Sequence, residues 1–423
     1  MRRKALFMLK SIITVMVLIS CLAVIICFFE RKNGKIKNGD FYQYEQNFDV
    51  LFFGTSHMIT SIYPMELWKQ YGITSYNMGN YGELIPVNYW NLRNALEYNQ
   101  PTIVVVDVFM VMANAKYSSP NMSQMHDLFD LMPISKLKIE AIQDLLEENY
   151  REEFYFPFAL YHNRWENIDS DNLWENKKVS YQMGADSDMC IVSDAKTISI
   201  SPFSASNIIS KNEFDDTEYL GKQYLRKIIE LCKENEIEVL LVSLPCMVSE
   251  DAQRCFNSVR KLEEEYENVK YYDMIGESGK YIDFKTDFLS DGHLNSSGAK
   301  KTTTNVGNYL KNNYHSLLTA NVQNKELVDW WDERYIHYLN DKIEILKSQE
   351  SMESFLMLLY DNDFTVTMII NRELYKDNER RINLINNLNN LTIIENSNIE
   401  EGVKFIIKDS QNGKIIFEKQ YEQ

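Results

Sequence analysis

The sequence predicts an α/β protein built on a three-layer α/β/α parallel sheet, and three observations carry that prediction. Short apolar runs alternate with stretches of helical spacing. The runs are apolar throughout rather than at every second position, as strands covered on both faces are. Turn residues close several of them, Gly54 and Pro245 among them.

Taken in order, Val50-Leu51-Phe52-Phe53 is a buried strand that meets a turn at Gly54. Helical spacing covers Pro64 to Tyr71, then Thr74-Ser75-Tyr76-Asn77 reads as a strand with turns at Gly79 and Gly82. A helix follows over Val87 to Tyr98, and Thr102 to Asp107 is a β-branched strand. Between about Met110 and Phe214 the rhythm breaks and Tyr, Trp, Asn and Met crowd in, which reads as an insertion or lid. The alternation resumes with an amphipathic helix, Tyr219 to Asn235, whose residues Leu220, Tyr224, Ile228, Ile229 and Leu231 recur near a helical period. Glu238 to Pro245 is a strong strand, Glu250 to Tyr266 a charged helix, and Val269 to Asp273 the next strand. Alternation of this kind builds a parallel sheet with helices on both faces.

After Tyr314 the character shifts. Asn324 to Gln349 is polar and helix-like, with Trp330 and Trp331 available for packing. Phe364 to Ile370, Asn378 to Leu388, Gly402 to Lys408 and Lys414 to Glu418 read as strand, helix, strand, strand. The expected organisation is therefore a basic tail (1–10), an anchor (11–29), an α/β/α domain (45–315) carrying the 110–214 insertion, and a helix with a small C-terminal α/β module (324–423).

The anchor rests on the uncharged run from Ser11 to Phe29 that follows Met1-Arg2-Arg3-Lys4 and Lys10. Nineteen residues of helix extend about 28 Å, close to the ~30 Å hydrocarbon core. The run ends in Cys27-Phe28-Phe29-Glu30 without the small residues of a cleavage site. The reading is a single-pass membrane protein with its N-terminus inside and its main domain extracytoplasmic. Basic residues number four on each flank, so the signal-like layout decides the orientation.

Composition excludes several classes. Lys and Arg total 44 against 61 Asp and Glu, a formal charge of −17, which disfavours nucleic acid as a partner. Six cysteines without a C-x-x-C supply neither a disulfide framework nor a zinc site, though Cys246 and Cys255 are close enough in sequence to pair.

Two distant stretches carry chemistry. Gly54-Thr55-Ser56-His57 follows the first strand, and in open parallel sheets ligands lie beyond the carboxyl ends of the strands. Ser290-Asp291-Gly292-His293 places an imidazole on a loop after the last strand, where it can serve as base to a nucleophile on the first. His57, adjacent to Ser56, diverges from it by about 100° at a helix start and is the poorer base.

These stretches resemble the SGNH (GDSL-type) hydrolase superfamily, in particular its membrane-anchored, DltD-like envelope acyltransferase branch. The resemblance spans roughly residues 45 to 313 and rests on Phe53 to His57, Tyr76-Asn77-Met78-Gly79-Asn80-Tyr81-Gly82, and Asp287 to Gly298. It implies Ser56 as nucleophile, His293 as base, and an oxyanion hole from the N–H groups of Ser56 and Gly82, with Gly79 shaping the turn. It implies acyl esterase or O-acyltransferase chemistry on an envelope glycan or teichoic acid, a multi-pass membrane acyltransferase as partner, and no metal or organic cofactor. The alternative it leaves open is an inactive scaffold of an envelope-modification complex. The chain departs from the pattern twice. Ser290 stands where the family has Asp, leaving Asp291 or Asp287 to orient the imidazole, and Val106-Asp107-Val108-Phe109 replaces a Gly-x-Asn-Asp block. Tyr161, His162, Arg164 and Trp165 in the insertion are candidate groove residues for a sugar or phosphate.

Overall fold

A computed structural model describes residues 2–29, 40–117, 122–130, 132–155, 182–186, 214–290, 292–318, 324–371, 378–398 and 402–422. The chain divides into two compact units, Met1–Tyr42 with Asn121–Ser180, and Gln43–Pro120 with Tyr181–Gln423.

The first unit contains α1 (Arg2–Phe29). The expected single-pass anchor is corrected: among the described residues no helix is long and apolar enough to cross a membrane. The transmembrane helix, the membrane partnership and the extracytoplasmic placement are withdrawn with it. So are the DltD-like assignment, the envelope-polymer substrate and the membrane acyltransferase partner, all of which drew on that anchor.

The second unit carries the sheet. Its elements begin with β1 (Val50–Phe53), α2 (Ser56–Ser61), α3 (Pro64–Tyr71), β2 (Ser75–Asn77), α4 (Ile85–Ala95) and β3 (Ile103–Asp107). In the first unit, α5 (Met122–Phe129), α6 (Lys136–Leu145) and α7 (Glu148–Tyr155) occupy the start of the insertion. Back in the second unit follow α8 (Leu220–Glu234), β4 (Glu238–Ser243), α9 (Glu250–Ser258), α10 (Leu262–Glu265), β5 (Val269–Asp273) and α11 (Met274–Glu277). The charged stretch expected as one helix is thus two, joined by a 3₁₀ turn at Val259–Lys261.

The five strands pair in the order β2-β1-β3-β4-β5, and every pairing is parallel. The order reverses direction between β1 and β3, which makes their carboxyl ends the topological switch point where open α/β sheets place ligands. Val50 to Phe53 and Ile103 to Asp107 are buried along their whole length, as the unbroken apolar runs required.

Beyond β5 the chain forms a two-stranded antiparallel hairpin, β6 (Phe288–Ser290) and β7 (His293–Leu294), then α12 (Ser296–Leu318) and α13 (Lys325–Ser348). Trp331 is fully buried and stacks on Trp68 at 5.4 Å, so it packs rather than presenting a binding platform. The C-terminal segment comprises α14 (Met352–Leu358), β8 (Phe364–Ile370), α15 (Glu379–Asn387), β9 (Leu391–Glu395), β10 (Val403–Asp409) and β11 (Ile415–Tyr421). Its sheet runs β11-β10-β8-β9, with β9 parallel to β8. Cys232, Cys246 and Cys255 are buried.

Helix α8 lies against the turn that follows β3. A Cβ at Gly221 would meet the carbonyl oxygens of Met110 at 2.5 Å and Val111 at 2.6 Å, and backbone cannot rotate away as a side chain can. Gly221→Ala is expected to destabilise the protein by about 1–3 kcal/mol through overpacking, read as a lower midpoint in urea denaturation. An unchanged midpoint refutes the tight docking of this helix.

Candidate active site

The turn after β1 is built for one task, holding Ser56 at the rim of the sheet. Gly54 is obligatory there, because a Cβ would lie 2.7 Å from Cβ of Asp107 and 2.9 Å from Cβ of Met58. Thr55 caps α2, its hydroxyl accepting from the His57 N–H at 3.2 Å. Asn77, at the end of β2 and fully buried, donates through Nδ2 to the carbonyls of Met58 and Ile62, both at 2.9 Å. Its Oδ1 accepts from the Gly79 N–H at 3.1 Å. One side chain therefore ties the short helix of Ser56 to the loop after β2.

The imidazole comes from the hairpin. Nε2 of His293 lies 2.8 Å from Oγ of Ser56, across 237 positions of chain. Nδ1 lies 3.1 Å from Oγ of Ser290. Ser290 and His293 are direct cross-strand partners in the β6–β7 register, so the turn that joins them presents the hydroxyl to the ring. The sequence reading placed His293 on a loop; it stands at the start of a strand, and that pairing is what aims it.

The predicted carboxylates are distributed otherwise. Asp287 is completely buried, and its oxygens accept from the Asp283 N–H, Ser297 Oγ, Lys301 Nζ and Asn387 Nδ2. Asp291, and the groove candidates Tyr161, His162, Arg164 and Trp165, lie outside the described residues. Of the two expected oxyanion-loop glycines, Gly79 has its N–H engaged by Asn77, while Gly82 adopts a positive φ of 61°.

Three residues named in the sequence, His57, Asp107 and Phe109, stand beside the pair in roles the sequence did not assign them. The His57 ring is buried edge-on against Phe109, with centroids 4.0 Å apart, and 5.3 Å from the His293 ring. Burial, and secondarily the charge His293 could carry, push the pKa of His57 down to about 3, so it is a neutral wall of the site. Burial also lowers the pKa of His293 below its ordinary 6.5. Asp107, at the end of β3, is driven up to about 7 by burial, against the opposing effect of N–H donors that include Phe109 at 3.1 Å. Asp107 was legible as the end of a strand; its contact with the turn that carries Ser56 was not.

Among the described residues one trio of carboxylates, Glu66, Asp361 and Asp363, is close enough to hold a metal ion. The chain supplies its own cation there. Lys342 Nζ lies 3.1 Å from Glu66 and 2.8 Å from each of Asp361 and Asp363. The carboxylates hold that buried ammonium protonated although burial alone would discharge it.

No protein-family model and no curated protein sequence matches the chain. Among solved structures it is similar to a family two carbohydrate esterase from Clostridium thermocellum, at 9% identity over 64% of this chain and 65% of that one, with a TM-score of 0.32. It is also similar to a GDSL-like lipase from Bacteroides thetaiotaomicron, at 11% identity over 66% of this chain and 98% of that one, with a TM-score of 0.30. Likenesses this slight decide neither the family nor the chemistry.

The raised pKa of Asp107 has a definite stability signature. A group that holds its proton more tightly when folded contributes most below its unfolded pKa, near 3.8, and that contribution is lost as pH rises toward about 7. Asp107→Asn is therefore expected to be more stable than the parent at pH 8, with the advantage shrinking toward pH 4, in denaturation curves at the two pH values. A variant equally displaced at both would show that burial does not hold the proton.

Proposed function

We propose that the protein is a serine-nucleophile carboxyl-ester hydrolase or acyltransferase in which Ser56 attacks the acyl carbonyl and His293 carries the proton. The observation that carries this reading is the 2.8 Å contact between Ser56 Oγ and His293 Nε2 at the switch point of the parallel sheet. A hydroxyl of ordinary acidity needs such a base.

In the proposed cycle the neutral imidazole accepts the Ser56 proton at Nε2 as Oγ bonds to the carbonyl carbon. Nδ1 must then carry the other proton, and Ser290 Oγ is its acceptor. The tetrahedral oxyanion is received by the N–H groups of Ser56 and Gly82; Gly79 contributes turn shape, since its own N–H is taken. The imidazolium next protonates the departing alcohol, leaving an ester on Ser56. Water or an acceptor alcohol, deprotonated by His293, releases the acyl group and restores the serine.

A fluorophosphonate probe should label the protein stoichiometrically, and Ser56→Ala should abolish both labelling and hydrolysis of p-nitrophenyl acetate. His293→Ala should lower hydrolysis by about 10³-fold or more. Absence of labelling in the parent protein leaves a non-catalytic α/β body and ends the proposal.

The neutral partner at Nδ1 sets the pH profile. The base works only when unprotonated, and its pKa is lowered, so the acid limb of kcat/KM should have its midpoint below 6.5. Ser290→Asp adds a negative charge beside the ring, which favours the imidazolium. That variant should move the limb to higher pH and raise the plateau by about tenfold. A limb that stays in place shows that residue 290 does not face the working base.

A further inference from the structure

The hairpin that bears His293 is fastened by a carboxylate with no step of its own in the reaction. Asp287 immediately precedes β6 and is fully buried. Its Oδ2 accepts from the Asp283 N–H at 2.7 Å and Lys301 Nζ at 2.6 Å. Its Oδ1 accepts from Ser297 Oγ at 2.7 Å and Asn387 Nδ2 at 3.0 Å. Its carbonyl accepts from the Asn295 N–H at 2.9 Å, closing the hairpin directly behind His293 and Leu294. Both strands of the hairpin thus return to one residue.

Three of the four carboxylate donors come from the hairpin's surroundings, residues 283 to 301. The fourth comes from α15, a hundred positions further along the chain. Asn387, the last residue of α15, also donates to Ser297 Oγ at 2.8 Å and accepts from Lys301 Nζ at 2.7 Å. Its amide thereby touches each of the three side chains that meet at the hairpin base, as donor to two and acceptor to one. A surface contact between two segments would need none of this. An amide in the middle of a buried ionic cluster fixes direction as well as distance, because each of its atoms has one role.

We infer that Asn387, at the end of α15, is a positioning residue for the base and the point through which the C-terminal segment helps to aim His293. This inference rests on the reading of Ser56 and His293 as the reacting pair. Asn387 acts through Asp287 on the hairpin and touches no reacting atom. Removing its amide leaves Asp287 with three donors and Lys301 without its neutral acceptor, so the hairpin base can tilt. Proton transfer between Ser56 and His293 depends steeply on that angle, whereas substrate binding does not. The loss therefore falls on kcat.

The test compares Asn387→Ala, the isosteric Asn387→Asp and a control, Phe405→Leu, in p-nitrophenyl acetate hydrolysis. Phe405 is buried in the C-terminal sheet away from the cluster, so its substitution loosens the module without touching the hairpin. Asn387→Ala is expected to lower kcat about tenfold with KM changed less than about twofold, a size typical of a small misplacement of catalytic groups. Asn387→Asp should lose more, since it sets a like charge against Asp287. Phe405→Leu should lower Tm comparably and leave kcat intact. In a Ser290→Ala background the Asn387→Ala loss should shrink, because the hydrogen bond by which the hairpin orients the ring is already gone. If both Asn387 variants keep the parent kcat while Ser56→Ala abolishes activity, the inference is overturned and the esterase reading stands. If Ser56→Ala also keeps activity, the reading itself fails and takes the inference with it. A kcat loss in Phe405→Leu equal to that in Asn387→Ala likewise overturns the inference, since it makes the effect one of general loosening.

Discussion

A buried carboxylate that must find donors governs the region around Ser56 and His293. Taking a charge such as Asp287 out of water costs several kcal/mol unless hydrogen bonds and a countercharge replace the lost hydration. Only one arrangement of the local chain supplies them together: the Asp283 turn, the first turn of α12 and the end of α15, with Lys301 as countercharge. Glycine is forced at 298 by the same packing, for a Cβ there would collide with the Asp287 carbonyl oxygen. The gain in net stability from such a cluster is small, but its alternatives are costly. That difference is what gives the hairpin one orientation.

A second constraint works on the opposite side of the site. Asn77 and Gly54 fix the turn after β1 from within the sheet, using a buried amide and a position where no side chain fits. The Ser56 turn and the hairpin each have their own buried cluster, and α12 joins them: Ser297 in its first turn donates to Asp287, and its Thr303 hydroxyl donates to the Ser61 carbonyl at the end of α2. Their meeting at 2.8 Å follows from two rigid placements rather than from attraction between the serine and the imidazole. A hydrogen bond of that kind adds about 1 kcal/mol, too little to draw two segments together across the rim of a sheet.

Much of this was legible in the chain. The unbroken apolar runs located β1, β3 and β4, alternation with helices placed β2 and β5, and the serine after the first strand and histidine after the last were marked by strand context. What periodicity cannot express is the direction of a side chain. Spacing from His293 ranked Asp287 and Asp291 above Ser290, since only they could bring a charge. Pairing register decided otherwise, setting Ser290 across from the ring while Asp287 turned inward to Lys301. Asn387 carried no signal at all, because its partners lie about a hundred positions away and an Asn at a helix end normally reads as a cap. The β9 strand was missed for a related reason: Leu391 to Glu395 is an exposed edge with almost no buried residue, so it lacks the apolar pattern that marks the others. The uncharged run near the N-terminus shows the converse: by composition it reads as a span, yet among the described residues no helix is long and apolar enough to cross a membrane.

Among the described residues, the groups that touch the His293 ring, Ser56, Ser290 and His57, are neutral, and the chemistry of the proposed reading follows from that. A carboxylate at Nδ1 does two things for a catalytic imidazole: it fixes the tautomer, and it stabilises the positive charge that appears when the serine proton arrives. A serine hydroxyl can do the first and not the second. Here the ring is also partly desolvated, and its aromatic neighbour among the described residues, His57, itself packed on Phe109, offers no compensating charge. His57, with its pKa near 3, stays uncharged through the neutral range and adds no repulsion of its own. Such a base accepts a proton reluctantly and gives it up readily. The deficit therefore falls on formation of the tetrahedral adduct, and the return of the proton to the leaving alcohol is comparatively easy. On the proposed hydrolase or acyltransferase reading, a base of this kind suits activated esters with good leaving groups, whose attack demands little basicity, better than amides, whose cleavage depends on a strongly stabilised imidazolium.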